Sequence, residues 1–155
     1  MASGMHNRFW IVWILVLLVC GCQKPPDFVD AQGNGHRLSE YKGKWVLVNY
    51  WATWCGPCIK EIPELNQLSK THSSKLVILG VDYDLPTGKA LRDQVKAMKI
   101  RYPVIAGDPQ KLFGITEPDV LPTTFVFAPG MKLKTTLVGA QTETSILAAI
   151  GQPSS

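Results

Sequence analysis

Cys55 and Cys58 stand three positions apart in the stretch Trp51-Ala52-Thr53-Trp54-Cys55-Gly56-Pro57-Cys58, two of only 4 cysteines in 155 residues. A cysteine attacks as its thiolate, and an unperturbed thiol with a pKa of about 8.5 is mostly protonated at neutral pH. At the start of a helix, free backbone N–H groups and the helix dipole stabilise negative charge and lower that pKa. Cys55 falls where an apolar strand pattern gives way to a helical one. Cys58, about one helical turn on, is within reach of a mixed disulfide formed at Cys55 and able to displace it. The spacing therefore predicts an attacking first cysteine and a resolving second one. Pro57 suits the first helical turn, where a missing N–H costs nothing. Gly56 leaves the approach to Cys55 open. Trp54 and Trp51 flank the pair, one expected to shield it and the other to pack beneath it.

Competing chemistries of a CxxC pair want partners that this chain lacks. A structural zinc site needs four ligands, and His72 is the only histidine downstream of the pair. A copper-handling site wants further methionine or histidine ligands close by, and there are none. A peroxide-reducing cysteine needs a threonine three residues before it, where Ala52 stands. No metal and no cofactor is expected. A Cys55–Cys58 bridge closes too short a loop to hold a fold together.

The elements around the pair read as alternating strands and helices. Trp45 to Ala52 (WVLVNYWA) is the run of a strand buried on both faces, and Ile59, Ile62, Leu65 and Leu68 follow at helical spacing. Leu76 to Val81 reads as a second central strand, with Leu91, Val95 and Met98 marking an amphipathic helix after it. Tyr102 to Ala106 is a candidate short strand, with a helical turn over 108–113. Two strands, Thr123 to Ala128 and Met131 to Val138, are joined by Pro129-Gly130 as a hairpin, and Thr142 to Ile150 closes the chain as a helix. Gly33-Asn34-Gly35 is read as a hairpin turn rather than a phosphate loop, followed by a helical turn over 39–42. The pattern predicts a three-layer α/β domain with a mixed sheet.

The N-terminus is different in kind. Phe9 to Cys20 (FWIVWILVLLVC) is an unbroken apolar run of 12 residues, against the roughly 20 that a bilayer-spanning helix needs. It has the length and flanks of a secretory signal, and Val19-Cys20-Gly21-Cys22 resembles a bacterial lipobox in which Cys22 would carry lipid. The alternative is an uncleaved signal anchor with Trp10 and Trp13 at the interface. Either version exports the domain and ties it to a membrane, dividing the chain into 1–22, a spacer over 23–27 with two prolines, and a domain over 28–155. A net charge of +4, scattered and without a basic stripe, excludes a nucleic-acid partner.

WCGPC after VLVNYWAT, then Glu61-Ile62-Pro63 and Leu121-Pro122-Thr123-Thr124-Phe125, resembles the thioredoxin superfamily. The closer likeness is to its membrane-anchored bacterial branch of TlpA, ResA and DsbE type, over nearly all of residues 27–150. The resemblance implies a thioredoxin-like fold with an extra helix-strand insertion over about 85–107. It implies that Cys55 is the nucleophile and Cys58 the resolving thiol, linked as a redox-active disulfide when oxidised, and that Pro63 kinks the active-site helix. Pro122 matches the cis-proline that faces the cysteines and presents the backbone of Leu121 to a substrate chain. Asn49 stands where cytoplasmic thioredoxins carry a buried acid, so that base is absent. Glu61, one turn beyond Cys58, matches a glutamate implicated in thiol proton transfer; the alternative is an acid that merely suits the helix dipole. Asp82, Asp84 and Asp108 read as strand-end and turn carboxylates.

By the same resemblance the domain is expected to act as a monomeric disulfide reductase on exported proteins, apocytochromes c among the candidates. Gly-Pro between the cysteines favours reduction over oxidase or isomerase activity. A reductase in an oxidising compartment needs a membrane electron donor. The reading from another class is a non-catalytic module that binds a peptide or a metal.

Overall fold

The computed structural model describes residues 24–152. The apolar run, Cys20 and the lipidation candidate Cys22 lie outside the described residues. Among the described residues, no helix is long and apolar enough to cross a membrane.

Four strands form the central sheet: β3 (Trp45–Trp51), β4 (Leu76–Asp82), β5 (Thr123–Ala128) and β6 (Lys132–Val138), in the order β4-β3-β5-β6. A small antiparallel hairpin of β1 (Phe28–Val29) and β2 (Gly35–His36) precedes them. The helices are α1 (Gly56–Thr71), α2 (Gly88–Ala97), α3 (Gln110–Phe113) and α4 (Glu143–Ala149), with a 3₁₀ turn at Leu38–Tyr41. β3 and β4 run parallel with α1 as their crossover, while β5 pairs antiparallel with both β3 and β6. The sheet is therefore mixed, as the sequence pattern required.

Alternation along β3 sorts its side chains between two cores. Leu47 and Trp51 pack with Ile62, Leu65 and Leu68 of α1, Leu91 and Val95 of α2, and Ile146 and Leu147 of α4. Val46, Val48 and Tyr50 face the other way, onto Phe125, Phe127, Phe113 of α3, and Phe28 and Tyr41 of the N-terminal segment. Covering both faces makes the three layers, and each fully buried leucine contributes roughly 1.5–3 kcal/mol. Ile59 departs from the helical stripe. It sits one turn into α1, and its side chain is half exposed.

The candidate strand over 102–106 is reduced to two bridges, Gly80 with Val104 and Asp30 with Ile105. Pro103 has no N–H to give to a ladder, and Gly107 at φ +110° turns the chain away. The segment still joins the N-terminal hairpin to β4: Ile105 N–H donates to Gly80 O at 2.8 Å, and Ala31 N–H to Val104 O at 2.8 Å. The helix-strand insertion is thus present as α2 followed by this bridging segment.

The hairpin turn has an organiser beyond its glycines. The Asp30 carboxylate accepts from the backbone N–H groups of Gln32 and Asn34, from Asn34 Nδ2, and from His36 Nε2 at 3.0 Å. His36 Nδ1 lies 2.9 Å from the Tyr41 hydroxyl, and the imidazole stacks on Phe28.

Candidate active site

β3 ends at Trp51, and the chain turns through Ala52–Trp54 into α1, so that Cys55 is the N-cap residue of that helix. Its Sγ accepts the Cys58 N–H at 3.3 Å, one of the amides that a helix start leaves without a backbone partner. Cys55 and Cys58 are joined as a disulfide. Gly56 and Pro57 open the helix, and a Cβ placed on Gly56 would meet nothing within 4 Å. The approach to Cys55 is open on that side. α1 continues through Pro63 to Thr71.

The two tryptophans differ in burial. Trp51 is fully buried beneath the pair, while Trp54 is 64% exposed beside it. Trp54 is held in place: its Nε1–H donates to Asp84 Oδ2 at 2.9 Å, and its ring meets Tyr83 edge-on with centroids 6.3 Å apart. Thr123 pairs with Tyr50 across the sheet, which sets Leu121 and Pro122 level with the end of β3, where the cysteine turn begins. The Leu121–Pro122 peptide is cis.

Glu61 points into the interior. It lies one turn beyond Cys58 and is only 2% exposed, so it is no surface acid flattering a helix dipole. Asn49 of β3 donates from Nδ2 to Glu61 Oε1 at 2.8 Å, and the Gln141 backbone N–H donates to Oε2 at 2.8 Å. Burial pushes the Glu61 carboxyl up to about 7, although the bonds from Gln141 and Asn49 pull the other way. Asn49 stands at the strand position as expected, and of the two readings of Glu61 the exposed first-turn acid is the one its burial does not fit. The strand position carries an amide, and the helix supplies the carboxylate to the same interior space. Cys58 is fully buried on the same helix, one turn before it.

A second buried carboxyl, Asp82, ends β4 on the cysteine side of the sheet. Burial raises it to about 6, above what its bond from Asp84 N–H takes back. Asp82 opposite Trp51, Asp84 on the Trp54 indole and Gln141 on the Glu61 carboxyl stand beside the candidate site residues, and sequence reasoning gave none of them a place there. Only the position of Asp82 and Asp84 at the end of a strand parallel to β3 signals two of them. Among the described residues, no cluster of three or more metal-ligating side chains occurs.

Comparison with known proteins places the chain among thioredoxin-like relatives. The family model of the AhpC/TSA family matches residues 22–136. The thiol-disulfide oxidoreductase ResA of a Bacillus cereus strain is 31% identical over 159 residues, covering 88% of this chain and 91% of the relative. ResA of Bacillus anthracis is 35% identical over 124 residues, 78% of this chain and 71% of its own. Among solved structures, the exposed lipoprotein thioredoxin Etrx1 of Streptococcus pneumoniae strain TIGR4 superposes with a TM-score of 0.66 at 25% identity, over 83% of this chain and 98% of that one. With its mixed four-stranded sheet, its cysteine pair at a helix start and these likenesses, the chain belongs to the AhpC/TSA family, and within it to the ResA group of thioredoxin-like proteins.

Proposed function

We propose that this chain is a thiol-disulfide oxidoreductase that reduces disulfides of exported proteins, held at a membrane through lipid on Cys22 or through its apolar N-terminal run. The observation that carries the redox reading is the Cys55 sulfur at the N-cap of α1, accepting the Cys58 N–H. A donor in that position favours the thiolate over the thiol. The reduced protein attacks a substrate disulfide through the Cys55 thiolate, forming a mixed disulfide and releasing one substrate thiolate. Cys58 then attacks Cys55 Sγ, the second substrate sulfur leaves, and the Cys55–Cys58 disulfide is regenerated with two electrons passed to the substrate.

For that second attack Cys58 must lose a proton inside a closed core. Glu61 is the candidate acceptor, buried one turn away with an ionisation close to neutral pH. The carboxylate takes the proton and hands it to the departing substrate thiolate. Trp54, Leu121 and Pro122 form the rim against which the substrate segment lies. The relatives' names support thiol-disulfide exchange, and the lipoprotein description of Etrx1 supports tethering. Apocytochromes c are one candidate substrate, and a membrane thiol donor recharges the pair.

Turnover of a protein disulfide such as insulin with a thiol donor tests the activity, and a chain without turnover is a binding module instead. A midpoint potential near about −270 mV supports reduction, whereas one near about −120 mV reverses the direction. Cys58→Ala leaves Cys55 unable to be resolved and should retain the physiological substrate as a mixed disulfide.

A further inference from the structure

Asn49 and Thr124 are partners across β3 and β5, and both turn toward α1 on the face that holds Glu61. The Asn49 amide has two N–H groups. One donates to Glu61 Oε1 at 2.8 Å and the other to Thr124 Oγ1 at 3.0 Å. Its oxygen faces the Tyr102 hydroxyl at 3.5 Å, from the inserted segment. A reversed amide would set an oxygen against the carboxylate, with no donor between them, so the neighbours fix one orientation. All of these groups are buried, where an unmet polar group is costly.

We propose that Asn49 is a positioning residue for the proposed proton acceptor: its side-chain amide, reaching across from the strand, holds the Glu61 carboxylate in place and supports its anionic form. The groups around that carboxylate leave Asn49 little help. Thr124 comes from β5, Gln141 from the loop after β6, Tyr102 from the insertion and Cys58 from α1 itself. None is a cation, and no lysine, arginine or histidine among the described residues pairs with Glu61. Two hydrogen bonds, from Asn49 and from the Gln141 backbone, are what oppose the burial penalty. Gln141 contributes a main-chain group that substitution leaves in place. Asn49 is therefore the side chain through which the acid is adjusted.

The inference rests on the proton-transfer reading of Glu61, and its test separates the two. The Glu61 side-chain carboxyl is titrated by ¹³C NMR in the oxidised protein, a readout independent of turnover. Asn49→Leu, folded by circular dichroism, should raise the Glu61 midpoint by about one unit, a tenfold gain in proton affinity. Asn49→Asp keeps the shape but sets a second carboxyl against the first, so the pair should share a proton and titrate in two separated steps. A Glu61 midpoint unmoved in the folded variants overturns the inference. Should Asn49→Leu not fold, the near-isosteric Asn49→Asp alone decides, with a single unshifted Glu61 step as the overturning result. The pH profile of disulfide exchange is then measured on the same variants. If the Glu61 midpoint moves and the profile follows, both ideas stand. A profile that stays put while the midpoint moves sinks the proton-transfer reading and leaves the positioning role intact.

Discussion

Trp54 Nε1–H donates to the Asp84 carboxylate over 2.9 Å, tying the residue before the nucleophile to the loop after β4. An indole that is 64% exposed would otherwise sample several rotamers. Fixing it against Asp84 and the edge of Tyr83 gives the cysteine a firm wall on one side, and a substrate segment need not order it on binding. Asp84→Ala removes the acceptor and leaves the backbone bond from Asp84 N–H to Asp82 in place. KM for a protein disulfide should rise about fivefold, the equivalent of one exposed hydrogen bond of about 1 kcal/mol, with kcat little changed. Asp84→Asn keeps an acceptor oxygen and should restore most of the loss. An unchanged KM in Asp84→Ala would show that the indole is held by packing alone.

Glu61 also governs stability. Its folded pKa, about 7, lies above the ordinary 4.5, so between those values the folded protein binds more protons than the unfolded chain. The Glu61 contribution to stability is therefore fullest below pH 4.5 and falls as pH rises through that window, by on the order of 3 kcal/mol. Asp82, raised from 3.8 to about 6, acts in the same direction over a lower range. Urea unfolding of the oxidised protein should thus give a midpoint that declines from pH 5 to pH 7.5. Glu61→Gln keeps an acceptor for the Gln141 N–H and should abolish the part of the decline between pH 6 and 7.5. A wild-type midpoint flat across that range would mean that the carboxyl titrates as it does in water.

Sequence carried the cysteine pair, the strand before it and the helix after it, because each rests on spacing within a few residues. Strand β3 was legible from its β-branched and aromatic run, and α1 from the period of Ile62, Leu65 and Leu68. The acid system was not legible as a unit. Asn49 and Glu61 are 12 positions apart, and Gln141 is 80 beyond Glu61; only the stacking of α1 on the sheet brings them together. Read singly, Asn49 looked like a lost base. Asp84 looked like an ordinary turn carboxylate, since nothing local says that an indole 30 residues earlier returns to it. The short strand over 102–106 failed for a local reason that was present in the chain, the proline at 103.

Gly80 lies at the closest approach between β4 and the inserted segment. A Cβ there would stand 3.0 Å from Trp51 Nε1, 3.0 Å from Val104 Cγ2 and 3.1 Å from Tyr102 Cε2, all buried side chains with little room to yield. Its backbone meanwhile donates to Pro103 O and accepts from Ile105 N–H, both at 2.8 Å, so the strand cannot back away without breaking the bridge. Gly80→Ala should destabilise the protein by about 1–3 kcal/mol through overpacking. Val104→Ala in the same chain should recover part of that loss by clearing one of the three contacts. Chemical unfolding of the single and double variants checks this, and additive losses would show that the clash lies elsewhere.

The N-terminal hairpin depends on Asp30 in the opposite electrostatic sense to Glu61. Burial pushes the Asp30 carboxyl up, but the bonds from Asn34, His36 and Gln32 outweigh it and leave the group below 3.8. A depressed acid stabilises the fold above its unfolded pKa and loses that contribution only as pH falls through the lower folded value. The hairpin should therefore hold throughout pH 5–8. Asp30→Ala removes the acceptor of the backbone N–H groups of Gln32 and Asn34 and of the His36 ring nitrogen, a loss of about 0.5–1.5 kcal/mol for each of these part-buried bonds. The damage should stay local, because the hairpin meets the rest of the domain through Ala31 N–H to Val104 O and Ala106 N–H to Val29 O. Hydrogen exchange should accelerate tenfold or more at the Ala31 and Ala106 amides while those of Val48 and Ile78 in the central sheet keep their protection. Equal acceleration at all four would mean that the hairpin and the sheet open as one unit, and that Asp30 supports the whole domain rather than its N-terminal edge.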